Sequence, residues 1–140
     1  MTDLFLGIEH LAIAAKNPKA LAEWYSRVLN FRTRITFDNG AETRQTFFIG
    51  LGADGPYIEL IPADASKQNP EKPNADPGIS HIAVLVSDFD RAAASLAESG
   101  ARKEGDERAA PFGARVQFYR DPEGNLFHIL YRPQPLPLRD

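Results

Sequence analysis

A chain of 140 residues with 43% hydrophobic and 25% charged residues has the make-up of a globular protein: one compact domain, or two small modules sharing a core. The formal charge of −3, with Lys and Arg scattered along the chain, argues against a nucleic-acid partner and against a cationic surface for anionic lipids. No cysteine is present, so disulfides, thiolate ligands and a thiol nucleophile drop out together. No apolar run approaches the roughly 20 residues that cross a bilayer. The opening MTDLFLGIEH also lacks the pattern of a signal peptide, so a cytoplasmic protein is expected.

Gly7-Ile8-Glu9-His10-Leu11-Ala12-Ile13-Ala14 is apolar and β-branched and reads as a strand. Asn17 then serves as helix N-cap with Pro18 as the first helical residue. Leu21, Trp24, Tyr25, Val28 and Leu29 recur at helical spacing, with Trp24 and Tyr25 read as helix core. Asn30 suits the left-handed C-terminus of that helix. Three more strand candidates follow, Arg32–Phe37, Arg44–Leu51 and Tyr57–Ile61, with turn signals at Asn39-Gly40 and Asp54-Gly55. Ala63–Pro77 holds three prolines and almost no hydrophobic residue, as a linker would.

The pattern then restarts. Gly78-Ile79-Ser80-His81-Ile82-Ala83-Val84-Leu85 resembles the first strand, with a histidine at the same place. Ser87 or Asp88 caps a helix striped with Ala92 and Leu96 and ended by Gly100. Strand candidates are Ala101–Glu104, Ala114–Arg120 and Leu126–Tyr131, the last two joined by the turn Asp121-Pro122-Glu123-Gly124-Asn125. The expected organisation is an α+β fold with a βαβββ module over 1–62, a linker over 63–77 and a second βαβββ module over 78–132. A proline-rich tail over 133–140 lies extended on the surface or on a partner.

The chemistry sits on the repeat. His10, His81 and His128 are the only histidines; the first two are repeat-matched, and the counterpart of His128 in the first copy is Glu59. Strand alternation sets His81, Ala83 and Leu85 on one face against Ile82, Val84 and Val86 on the other, and the first copy repeats the arrangement. The more apolar face packs under the helix, leaving each histidine and its small neighbours facing a cavity. A lone strand histidine is more often a hydrogen-bonded core residue than a ligand. Here every histidine, together with one Glu costly to bury alone, falls at a repeat-matched position. Two to three imidazoles and one carboxylate suit one divalent transition metal, Zn, Ni, Fe, Co or Mn, rather than Ca²⁺ or Mg²⁺. Arg44 and Arg115 hold comparable places and are candidates for an anionic substrate, against the plainer reading of solvent-facing strand arginines. Phe47, Phe48, Phe112 and Phe118 read as core or pocket wall. No phosphate-binding glycine loop or Ser-His-Asp arrangement is present.

Ile8-Glu9-His10-Leu11-Ala12-Ile13, Trp24–Phe31, Tyr57-Ile58-Glu59-Leu60, Ser80-His81-Ile82-Ala83-Val84 and the Asp121–Asn125 turn leading into His128 together resemble the vicinal oxygen chelate superfamily. That superfamily includes glyoxalase I, methylmalonyl-CoA epimerase, extradiol dioxygenases and bleomycin resistance proteins. The resemblance covers nearly the whole chain apart from linker and tail. It implies paired βαβββ modules whose strands curl, barrel-like, around a metal cleft with helices outside. His10, Glu59, His81 and His128 would be the ligands, supplied by one chain or by two copies in a homodimer. It departs from the glyoxalase I and epimerase pattern at His128, where those relatives usually carry a Glu that often acts as base. The leading expectation is a metal-dependent lyase or isomerase binding vicinal oxygens of a small substrate and stabilising an enediolate, with Glu59 or His128 as base. An Fe(II)-dependent dioxygenase using His10, His81 and Glu59 is the alternative. A non-catalytic drug- or metabolite-binding protein is a further one.

Overall fold

A computed structural model describes residues 4–41 and 44–139. The outer limits set above for the first module and the tail, residues 1–3 and 140, lie outside the described residues, as do 42 and 43. The chain divides into two compact units, residues 1–68 and 69–140. No helix among the described residues is long and apolar enough to cross a membrane.

The first unit runs β1 (His10–Ala15), α1 (Pro18–Leu29), β2 (Arg32–Asp38), β3 (Gln45–Gly50) and β4 (Tyr57–Pro62). The second runs β5 (Ile82–Leu85), α2 (Phe89–Glu98), β6 (Arg102–Ala110), a 3₁₀ turn over Pro111–Gly113, β7 (Ala114–Arg120) and β8 (Leu126–Tyr131). Each unit is thus a βαβββ module with a four-stranded sheet, not closed into a barrel. The orders are equivalent, β1-β4-β3-β2 and β5-β8-β7-β6. In both, the first strand pairs parallel with the last while the other pairings are antiparallel. The α+β class and the two expected modules are therefore observed.

Local chemistry explains the helices. The Asn17 side chain accepts a hydrogen bond from the Ala20 amide at 3.1 Å, Pro18 opens α1, and Asn30 closes it in the left-handed conformation at φ 60°. Asp88, rather than Ser87, caps α2, accepting from the Arg91 amide at 3.1 Å, and Gly100 follows the helix at φ +71°. Leu21, Ala22, Tyr25 and Val28 of α1 are buried, as are Phe47, Ile49, Ile58 and Leu60 of the sheet. Trp24 is only half-buried, its ring edge-on to Tyr25. In the second unit Phe89 and Leu96 of α2 are buried, as are Val84, Tyr119, Phe127 and Ile129. Burial of these faces at roughly 25 cal/mol per Å² fixes which side of each strand faces its helix.

Three boundaries differ from expectation. The first strands begin at His10 and Ile82, where the pairings His10↔Tyr57 and Ile82↔Phe127 start. The strand expected to stop at Glu104 continues to Ala110. Gly105, at φ +70°, forms an irregularity between Glu104 and Arg108 after which pairing resumes. The charges at 106–108, beyond the expected strand, belong to an exposed edge strand, where such residues are at home. Phe112 is 63% exposed in the 3₁₀ turn, so it is not core. Residues 63–81 contain no helix or strand. Their later part is fastened to the second unit: the Lys72 carbonyl accepts from Arg120 at 2.8 Å, Asn69 donates to the Glu123 carbonyl at 2.9 Å, and Glu71 pairs with Arg102.

Candidate metal centre

Register places the ligand-type residues. In the first unit Ala12 stands opposite Glu59 and Phe48 flanks Glu59 on the other side. In the second, Ala83 stands opposite His128 and Phe118 flanks it. Side chains two residues apart share a face, so His10 joins Glu59 and His81 joins His128, each pair on the sheet face turned away from its helix.

In the first unit His10 Nε2 lies 3.6 Å from Glu59 Oε1, and His10 Nδ1 lies 2.9 Å from Glu9 Oε1. A carboxylate only accepts, so Nδ1 carries the proton that Glu9 receives. In the neutral ring, Nε2 then presents a lone pair to the Glu59 carboxylate. Two acceptors facing each other at this distance suit a cation between them, whether proton or metal. The His10 ring meets Phe48 edge-on at 5.3 Å, and Phe48 meets Phe37 at 5.9 Å. Beside them a cavity of about 320 Å³ is lined by Glu9, Arg34, Ile35, Phe37, Phe48 and Tyr57.

In the second unit the His81 and His128 rings lie 4.4 Å apart at 44°, and both rest edge-on against Phe118, at 5.0 and 4.9 Å. His81 Nδ1 is 2.8 Å from Ser80 Oγ, whose own hydrogen goes to Asn74 Oδ1. The hydroxyl has one proton to give, so it accepts from His81, and His81 Nε2 is the free nitrogen. His128 is 8% exposed, and neither of its ring nitrogens has a hydrogen-bond partner. A buried polar atom left unpaired costs about 1–3 kcal/mol, so this imidazole is unsatisfied unless something binds it. Burial, then the charges of His81 and Arg132, push the His128 pKa down to about 4; burial also lowers that of His81. Both are neutral imidazoles near pH 7, the form that ligates metal.

Among the described residues no three of His, Cys, Asp or Glu are arranged so as to hold a metal ion by themselves. The ligand-type residues meet as two pairs, one in each unit. Each pair suits a divalent transition metal in donor chemistry: His–carboxylate in the first, His–His with an unpaired buried ring in the second.

The sequence model of the Glyoxalase/Bleomycin resistance protein/Dioxygenase superfamily matches residues 7–129. The chain belongs to this superfamily. It is 29% identical over 119 residues to the uncharacterized protein YaeR of Escherichia coli (strain K12), covering 84% of this chain and 89% of that one. A glyoxalase family protein from Enterococcus faecalis matches at 26% identity and TM-score 0.70, covering 91% of this chain and 99% of that one. The trypanothione-dependent glyoxalase I of Leishmania major shares the fold at TM-score 0.72 and 18% identity, covering 91% and 87%.

Several contributors escaped sequence reading. Glu9 and Ser80 immediately precede the repeated histidines inside the matched segments, and that adjacency is the signal that could have flagged them; Asn74 sits in the expected linker and gives no such signal. Arg115 is not at the site. It alternates with Val116 and Phe118, points to the helix side, stacks over Phe89 at 4.2 Å, and is bound by Glu107 and Asp90. Arg44 precedes β3 and is exposed. Arg115 is thus committed to two carboxylates of its own unit.

Proposed function

We propose that His10, Glu59, His81 and His128 together hold one divalent transition metal ion, in one chain or across a homodimer. The chain is then a metal-dependent lyase or isomerase of the glyoxalase I/epimerase type acting on a small molecule with vicinal oxygens. The observation that carries this reading is His128, a neutral, buried imidazole with both nitrogens unpartnered beside a second histidine whose Nδ1 is already bound. The metal, when bound, supplies Lewis-acid polarisation of the substrate oxygens. The chain's residues do the rest. Glu59, partly exposed and already in line with His10, accepts the proton from the carbon beside the substrate carbonyl and returns it. His128, neutral near pH 7, is the second proton acceptor of the site. Phe48 and Phe118 wall the two histidine pairs and limit water around them.

The test is a turnover screen of zinc-, nickel- and iron-loaded protein on methylglyoxal–thiol hemithioacetals and on 2-substituted thioesters with an exchangeable α-proton. Glu59→Gln and His128→Ala, made singly, should each lose turnover by at least about 100-fold, the scale of one general acid–base group. Robust activity in both variants sinks the reading. Ferrous iron with dioxygen uptake on catechols would turn it to the dioxygenase alternative.

A further inference from the structure

The second unit's histidine-bearing face carries a cation that nothing above has used. Arg108 on β6 stands opposite Val116, and Val116 is two residues along β7 from Phe118, which stands opposite His128. Residues so related share one sheet face. The Arg108 guanidinium lies over the Phe118 ring at 5.1 Å from its centroid, and Phe118 is the ring against which both His81 and His128 pack.

Other arginines of these strands are engaged with carboxylates. Arg102 pairs with Glu71, Arg115 with Glu107 and Asp90, and Arg120 with Glu104, which accepts at both oxygens. Among the described residues no carboxylate comes within 4 Å of Arg108, although its charge helps hold the Glu104 carboxyl down, and it stays exposed. A guanidinium laid over an aromatic face satisfies its charge in part while its in-plane N–H donors remain free. The equivalent position in the first unit is Phe37, opposite Thr46 and two residues along β3 from Phe48, whose ring it meets at 5.9 Å. Packing on the wall phenylalanine is therefore met by an apolar ring in one module. In the other, the same place carries an unpaired fork of donors.

We infer that Arg108 receives a carboxylate of the substrate beside the His81–His128 pair. One planar fork offers two parallel N–H donors and one charge, which matches the two oxygens and one charge of a carboxylate. The substrate class narrows to small acids that carry vicinal oxygens and a separate carboxylate. This inference rests on the proposed reading of that face as the substrate site.

The test compares two ligands that chelate through the same vicinal oxygens, catechol and 3,4-dihydroxybenzoate, titrated calorimetrically into the zinc-loaded protein. The acid should bind about tenfold or more tightly than catechol, the scale of a charge-assisted hydrogen bond. R108M should abolish the preference with catechol affinity and zinc content unchanged, and R108K should keep part of it. No preference in the unmodified protein, or one that survives R108M, overturns the inference. A second measurement does not need the metal. Benzoate titrated into metal-free protein should shift the Arg108 Nε–H resonance saturably, while benzyl alcohol should not. Absence of that shift overturns the role of Arg108 whether or not zinc binds. A benzoate shift with no zinc bound leaves Arg108 standing and sinks the metal reading alone.

Discussion

The two units share strand order and register, yet their histidine pairs sit in different electrostatic settings. In the first, an exposed His10 stands between two carboxylates, Glu9 at Nδ1 and Glu59 facing Nε2. In the second, a half-buried His81 is tied through a neutral hydroxyl and amide, and its neighbour His128 is buried with no hydrogen bond at all. One backbone frame thus delivers a charged, accessible pair and a neutral, desolvated one. The difference arises from single residues, Glu against Ser before each first-strand histidine and Glu against His on each last strand. In the proposed metal site the first pair would supply negative charge and the second neutral imidazole nitrogens.

The largest effect expected from this contrast lies in metal affinity. His128→Ala and Glu59→Gln should each weaken zinc binding by more than about 100-fold, beyond the 10–100-fold typical of outer partners. Competition with a chromophoric chelator measures this. An effect confined to one unit's variant would mean that the pairs do not act together.

The second prediction concerns pH and the buried pair alone. The folded pKa of His128 is depressed to about 4 from an ordinary 6.5, so the unfolded chain binds the extra proton between these values. In metal-free protein this makes stability complete above about pH 6.5 and lost progressively down to about pH 4, by on the order of 3 kcal/mol at 1.36 kcal/mol per pKa unit. Urea midpoints across that range should fall with acid, and His128→Leu should flatten the dependence. Glu104, whose carboxyl Arg120 holds below its usual value, adds a further loss as pH falls below about 4.5.

Smaller effects separate the two tautomer-setting partners. Ser80→Ala should remove the acceptor for His81 Nδ1 and lower zinc affinity roughly 10-fold. Glu9→Gln keeps an acceptor for His10 and should cost less. Imidazole ¹⁵N shifts of the metal-free protein report the tautomers directly, and an unchanged His81 signal in Ser80→Ala would count against the relay through Asn74. The smallest change is local. Asn17→Ala and Asp88→Ala should each cost about 1 kcal/mol of unfolding free energy, equal in the two units because the caps are equivalent.

Much of this was legible from the sequence because the repeat constrained it. Asn17, Pro18 and Asn30 fix α1 by local capping, and the matched His10 and His81 with Glu59 and His128 fix which strand positions meet. Alternation then aimed each pair away from its helix, as the buried Val84, Ile129, Ile58 and Leu60 on the opposite faces bear out. What the sequence hid depends on tertiary context. The reach of β6 past Gly105 depends on pairing with β7, so the expected strand stopped at Glu104 and left out Arg108 on the histidine face. Asn74 reaches Ser80 only because the segment after residue 68 folds back onto the second unit, and no periodicity encodes that. Arg115 illustrates the converse: a plausible anion receptor by position, but turned to the helix side and consumed by Glu107 and Asp90.

The central claim is that the two unlike pairs complete one metal site. Elemental analysis of the native protein, purified without chelators and repeated for His128→Ala and Glu59→Gln, tests it most directly. The account predicts one divalent transition metal ion per chain, lost in both variants. A native protein free of metal that takes up no zinc on titration, or metal retained in both variants, would contradict it.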